Sequence, residues 1–223
     1  MRRPELGGPA TVDEVTLPYF HDDYDPPVPS GRPCGRLRHL RQDGRERRGR
    51  AGLYSSDALL PDVFAGPYVE YQPDLAFVVD TGRRVAGYVI SVADSQAFAD
   101  WYDAHWLPGF RERYPLTEAT SQKEREAIGF GLDPHEAIVP EVDRFPAHLH
   151  IDLLPELQGQ GYGRRLIREL LAALHGRGVP GVFLRMSPAN TGAMAFYRRL
   201  GFEELPSSRS DAPALAIATN ADV

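Results

Sequence analysis

The stretch His148-Leu-His-Ile-Asp-Leu-Leu-Pro-Glu-Leu-Gln-Gly-Gln-Gly-Tyr-Gly-Arg-Arg-Leu-Ile-Arg-Glu-Leu-Leu-Ala-Ala-Leu-His-Gly176 decides the fold. Its first part, His148 to Leu154, reads as a strand. Gly161 to Gly176 reads as a helix, because Leu166, Ile167, Leu170, Leu171 and Leu174 recur at helical spacing and form one apolar stripe. Working outward, Gly181-Val-Phe-Leu-Arg-Met186 is a second strand. Asn190 to Leu200 is a short helix with Ala193, Phe196, Tyr197 and Leu200 on one side, and Gly201 stands where a helix C-cap belongs. Strand, helix, strand, helix predicts an α/β unit whose two strands pair in parallel.

The loop Pro155-Glu-Leu-Gln-Gly-Gln-Gly-Tyr-Gly163 carries chemistry. Its glycines at alternate positions let the backbone approach a ligand without Cβ clashes. The helix that follows begins with unpaired N–H groups and a dipole that favours negative charge, which makes an anion site fit for a phosphate or pyrophosphate. A Walker A loop would need Gly-Lys-Ser/Thr, but Tyr162-Gly163-Arg164 follows Gly161. A dinucleotide fingerprint starting at Gly161 would need Gly where Leu166 stands.

What remains, Gln158-x-x-Gly161-x-Gly163, resembles the acyl-CoA pyrophosphate loop of the GCN5-related N-acetyltransferase (GNAT) superfamily. Asn190-Thr-Gly-Ala193-Met-Ala-Phe-Tyr197-Arg-Arg-Leu-Gly201-Phe202 resembles that family's second cofactor segment, so the likeness covers about residues 146–205. Ala147 to Pro155, Gly87-Tyr88 and the segment Trp101 to Tyr114 further resemble bacterial acetyltransferases akin to the C-terminal acetyltransferase-like domain of O-GlcNAcase. The resemblance implies an α/β GNAT fold, with a mixed central sheet splayed at the acyl-CoA site and flanked by helices. It implies acetyl-CoA as cofactor and direct acetyl transfer to a primary amine of a small molecule or peptide.

The resemblance also assigns roles. Backbone groups of Ile151 to Leu154, Leu153 and Leu154 among them, would pair with the pantetheine arm. Amides of Gln158, Gly159, Gln160, Gly161, Tyr162 and Gly163 would cradle the pyrophosphate, with Arg164 beside them. Asn190 would touch the cofactor arm or cap its helix. Tyr197 would be the general acid for the leaving thiolate. For the general base, Asp152, His148 and His150 alternate along one strand and share a face; Asp152 is the first candidate and the histidines the alternatives. A second reading keeps the fold and drops the chemistry, leaving a cofactor-binding or protein-contact module. His148-x-His150-x-Asp152 also matches the start of a zinc-hydrolase signature, but Leu153 stands where a further His is needed and only His175 follows, so no metal is expected.

Upstream, Leu75 to Val79 and Arg84 to Val92 flank the turn-like Asp80-Thr-Gly-Arg83 and predict a β-hairpin. Asp94-Ser95 reads as an N-cap. Phe98, Trp101, Tyr102, His105 and Trp106 then give an aromatic helix face, either core or pocket wall, that Pro108-Gly109 should end. A polar helix is expected over about Thr117 to Ile128, followed by a Pro-rich connection through Pro134, Pro140 and Pro146.

Composition sets the outer bounds. The chain has 223 residues, 42% hydrophobic and 25% charged, which excludes a disordered or fibrous protein. Its net charge of -6 is unevenly spread: residues 1–50 carry a net +2, with eight Arg between positions 31 and 50, and the remainder a net -8. Pro-rich and sparse in apolar residues, 1–50 reads as an irregular extension, and 51–223 as the acetyltransferase domain. The extension stands where relatives carry a strand and helices that wall the acceptor site. An arm that binds polyanions, a divergent strand and helix near Val12 to Phe20, and an out-of-frame stretch of a GC-rich gene all remain open readings. Few aromatics interleave the Arg cluster, so nucleic acid is not an expected partner. Lone Cys34 excludes an intrachain disulfide and points to the cytoplasm. No membrane segment or export signal is expected, and monomer or homodimer stays open.

Overall fold

The computed structural model describes residues 54–81 and 85–223; the expected irregular extension, 1–50, lies outside them. Two short helices, α1 (Leu59–Phe64) and α2 (Gly66–Tyr71), precede β1 (Ala76–Asp80) and β2 (Val85–Val92). Helices α3 (Ser95–Trp101), α4 (Leu107–Arg113) and α5 (Gln122–Leu132) come next. Then follow β3 (Ala147–Leu153), α6 (Tyr162–Gly176), β4 (Gly181–Arg185), α7 (Thr191–Arg199), β5 (Glu203–Glu204) and β6 (Ala214–Ala218).

The strands form one mixed, open sheet in the order β1-β2-β3-β4-β6-β5. The expected hairpin is present: β1 and β2 pair antiparallel, with an irregularity between Val79 and Asp80. β2 and β3 pair antiparallel from Gly87 opposite Leu153 to Val92 opposite His148. β3 and β4 are parallel, as expected, but pair only at Ala147 with Val182 and His148 with Phe183. β4 is held on its other side by β6, from Gly181 opposite Ala218 to Arg185 opposite Ala214.

Strand alternation sorts the two sheet faces. On one, the α6 stripe of Leu166, Ile167, Leu170, Leu171 and Leu174 packs with Phe77, Val89, Leu149, Val182, Leu184 and Leu215. Each of those helix side chains is at most 2% exposed, and full burial of a leucine-sized group is worth about 2 kcal/mol. On the other face, Ile90 and Val92 meet Tyr68, Phe98, Tyr102 and Leu107 from α2 to α4.

Two expectations fail here. Pro108-Gly109 does not end the aromatic helix, which continues to Arg113 through a π-turn over Tyr102–Trp106. Proline has no N–H to donate, and its ring crowds the carbonyl four residues back. The chain meets this by widening: Leu107 N–H bonds to the Tyr102 carbonyl, five residues back, and Pro108 falls in the first turn of the resumed helix. The expected polar helix begins later, at Gln122, because the Ser121 side chain caps it by accepting from Glu124 N–H at 3.0 Å. Thr117 lies in a separate 3-10 turn. The aromatic face is mostly core: Phe98 and Tyr102 are 4% and 3% exposed, whereas His105 is exposed.

Glu124 is the buried fastener of this region. Its carboxylate accepts from Ser55 N–H at 2.7 Å, from the Ser55 hydroxyl, and from Thr120 N–H and hydroxyl at 2.7 and 2.5 Å. Burial raises its pKa, but these donors outweigh burial and hold it down at about 2. A depressed carboxyl contributes stability above its unfolded pKa and loses it as pH falls through the folded one. We expect the acid limb of the stability curve, between about pH 4.5 and 2, to flatten in Glu124→Gln. Glu124→Ala should lower the unfolding free energy by about 2–4 kcal/mol in urea titrations at pH 7.

Candidate active site

β3 leaves β4 after His148, and the site forms at that parting. Leu154 N–H donates to the Ala86 carbonyl at 2.8 Å. With the β2–β3 register, this turns the N–H groups of His150, Asp152 and Leu154 towards β2 and those of Leu149, Ile151 and Leu153 towards β4. Beyond Leu149 the latter face a gap between parallel strands. Leu153 N–H is met by its neighbour, Asp152 Oδ1, at 3.0 Å, and the Leu153 carbonyl accepts from Gln158 Nε2 at 2.9 Å.

The loop follows directly. Gly159 and Gly161 have φ of +75° and +85°, a left-handed conformation that a side chain would strain, and a Cβ at either would meet nothing within 4 Å. Gly161 caps the 15-residue α6. Gln160 Nε2 donates to the Glu156 carbonyl and braces the loop. Open space over these glycines, beside the free amides of a long helix, fits a pyrophosphate. Gly163 serves a different end: a Cβ there would stand 2.9 Å from the Phe196 ring and 3.4 Å from Leu153. Its hydrogen lets α7 lie against the start of α6. Tyr162 packs its ring with Ala86 and Leu157, which leaves its backbone amide to the loop. Arg164 is exposed in the first turn.

Asn190 caps α7, its Oδ1 accepting from Ala193 N–H at 3.1 Å. Tyr197, two turns beyond Asn190, is 6% exposed and packs between Phe196 and Phe202, with ring centroids 5.2 Å away on either side. Its hydroxyl has no hydrogen-bond partner among the described residues. Burial, and then the negative charge of Asp152, push its pKa well above the ordinary phenol value, so it stays protonated.

Asp152 is exposed at the open end of β3. His148 and His150 share its face but sit deeper, in a hydrogen-bonded set that residue spacing did not disclose. Ser95 Oγ donates to the Pro146 carbonyl at 2.6 Å and lies 2.7 Å from His148 Nδ1; Tyr68 Oη lies 2.9 Å from both His148 Nε2 and His150 Nε2. Each hydroxyl has one proton. Ser95 spends its own on Pro146, so His148 Nδ1–H donates to Ser95, Tyr68 donates to His148 Nε2, and His150 Nε2–H donates to Tyr68. His150 Nδ1 is left as the acceptor. Burial lowers His148 to about 3, helped by His150, and lowers His150 to about 4, so both rings are neutral at neutral pH.

The structure thus gathers the loop, the parted strand, Asp152 and Tyr197, with Tyr197 on the α6 side of the sheet and Asp152 on the other. The roles of Tyr68, Ser95 and Arg185 are not disclosed by the sequence, in which Ser95 reads only as part of an N-cap and Arg185 only as a member of a strand.

The model of the acetyltransferase (GNAT) family matches residues 40–202. The chain belongs to the GNAT family. This acetyltransferase accordingly uses acetyl-CoA, and the residues at the parted strand and loop fit that cofactor. It is 40% identical to SsHAT, whose crystal structure it matches with a TM-score of 0.73 over 86% of this chain and 99% of that one. It is 39% identical over 113 residues to the [ribosomal protein bS18]-alanine N-acetyltransferase of Escherichia coli (strain K12), covering 51% of this chain and 71% of that protein. It is 23% identical over 154 residues to the protein O-GlcNAcase of Rattus norvegicus, covering 68% of this chain but only 17% of the O-GlcNAcase. Among the described residues no helix is long and apolar enough to cross a membrane.

Gly163→Ala should push the Phe196 ring off the start of α6. We expect a loss of about 1–3 kcal/mol of stability, read by urea unfolding, and weaker acetyl-CoA binding, read by calorimetry.

Proposed function

We propose that the acetyltransferase domain spans residues 51–223, works in the cytoplasm, and acetylates a primary amine of a small molecule or peptide by direct attack of the amine. The observation that carries this reading is the junction itself: a strand that leaves its parallel neighbour, running into a loop whose left-handed glycines open onto the start of α6. When bound, acetyl-CoA supplies the acyl thioester. Amides of Gln158 to Gly163 hold its pyrophosphate, with Arg164 at the rim. The main-chain groups of Ile151 and Leu153, which face the parting, orient the pantetheine arm, whereas those of Leu154 are spent on Ala86 and Leu157; Asn190 steadies the arm while capping α7.

Proton traffic falls to two side chains. Asp152, exposed at the acceptor mouth, takes the proton of the incoming ammonium through water. Tyr197, held neutral by burial, keeps a proton ready for the departing thiolate. Burial holds the two histidines neutral and Tyr68 and Ser95 fix them in place, so that no second cation competes with the ammonium for Asp152.

Tyr197→Phe should leave acetyl-CoA affinity unchanged and lower the rate of thiol release by about 10²-fold or more. A panel of primary amines, with free thiol as the readout, tests this. Acetyl-CoA binding without thiol release from any amine, unaltered in Tyr197→Phe, would instead favour the cofactor-binding module.

A further inference from the structure

Arg185 ends β4, and its environment is unlike that of the other arginines. Its Nε is buried and has no hydrogen-bond partner, the one such side-chain atom among the described residues. A guanidinium keeps its charge at any working pH, and a buried donor left unmet is unfavourable. The ion pairs of Arg113, Arg177, Arg198 and Arg209 lie elsewhere, each with its own carboxylate.

The register gives Arg185 its location. β3 and β4 last pair at His148 and Phe183, so two positions further on His150 and Arg185 stand across the parting from one another. Along β4, Val182 and Leu184 belong to the core beneath α6, whereas Phe183 lies on the opposite face, its ring 5.6 Å from that of His148. Alternation puts Arg185 on the face of Phe183, and hence on the face of His150 and Asp152. Among the described residues no ion pair meets its charge. His150 is neutral, Tyr68 is committed to the two histidines, and Phe64 meets His150 with ring centroids 5.5 Å apart. Asp152, at the rim two positions beyond His150, brings a negative group to this face.

We propose that Arg185 is the anion-recognising residue of the acceptor site, and that the acceptor is an amine that also carries a carboxylate. The proposal rests on the acetyl-transfer reading of this site. A carboxylate accepts parallel bonds from guanidinium Nε and Nη, a fork that fixes orientation as well as distance. The ammonium of the same molecule then turns towards Asp152, so each end of a zwitterion meets the opposite charge. One guanidinium beside a carboxylate suits a monoanion; a phosphate dianion would call for more positive charge than this face holds.

Matched acceptors test the idea on the full chain: amino acids, their carboxamides, and amino alcohol phosphates, with thiol release as the readout. The carboxylates should exceed the carboxamides in kcat/KM by about 10- to 100-fold, the range of a charge-assisted hydrogen bond. Arg185→Gln should collapse that ratio towards one, and Arg185→Lys should retain part of it, both with unchanged acetyl-CoA affinity. Equal turnover of carboxylates and carboxamides by the wild type would overturn the proposal. So would a preference for the phosphates, or a loss of acetyl-CoA affinity in Arg185→Gln that accounts for the whole effect. If no amine releases thiol, the acetyl-transfer reading fails by itself, and the same pairs are titrated into the acetyl-CoA complex by calorimetry. A carboxylate preference that Arg185→Gln abolishes then upholds the role of Arg185, and no preference refutes it.

Discussion

Two parallel strands that part after two paired positions impose the constraint on which the rest of this molecule depends. A sheet gains by completing its ladder, and main-chain groups left facing a gap are unfavourable unless something meets them. The gap persists because each strand is held from its outer side. β3 is registered to β2 along six positions, and β4 to β6 along five. Beneath the parting, Tyr68 and Ser95 tie the side chains of β3 to α2 and α3, so β3 cannot swing across to close against β4. The opening is therefore a property of the whole sheet and of the helical layer under it, not of the loop at its mouth.

Polarity along β3 follows from depth on a single face. His148 is sealed and neutral, His150 is half-buried and neutral, and Asp152 is exposed. Three polar groups spaced two residues apart thus run from core packing to solvent within one short strand. Their sequence pattern is uniform, yet their environments divide them into two fixed, neutral rings and one exposed carboxylate.

What could be read in advance was what depends on near neighbours. The helical stripe of α6, the Asn190 cap and the hairpin are each set within a few residues, and each is found where spacing predicts it. Contacts across long separations were not legible. Tyr68 reaches its histidine partners from 80 and 82 residues away, and Ser95 lies 53 residues from His148. Pro108 departs for another reason: proline is ordinarily a stop, but a π-turn ahead of it supplies the extra residue that lets the helix continue. Arg185 was visible only as a member of a strand, and its meaning depended on the register of β3 and β4.

The hydrogen at Gly163 has a consequence for how the molecule responds to its cofactor. With α7 seated against the first turn of α6 through Phe196, the loop and the helix bearing Tyr197 belong to one packed unit. Little conformational freedom is then left to lose when a ligand settles on the loop, so the entropic cost of ordering is met largely during folding. An occupant of the loop and the phenol of Tyr197 accordingly keep a fixed separation, and a fluctuation that loosens one end loosens the other.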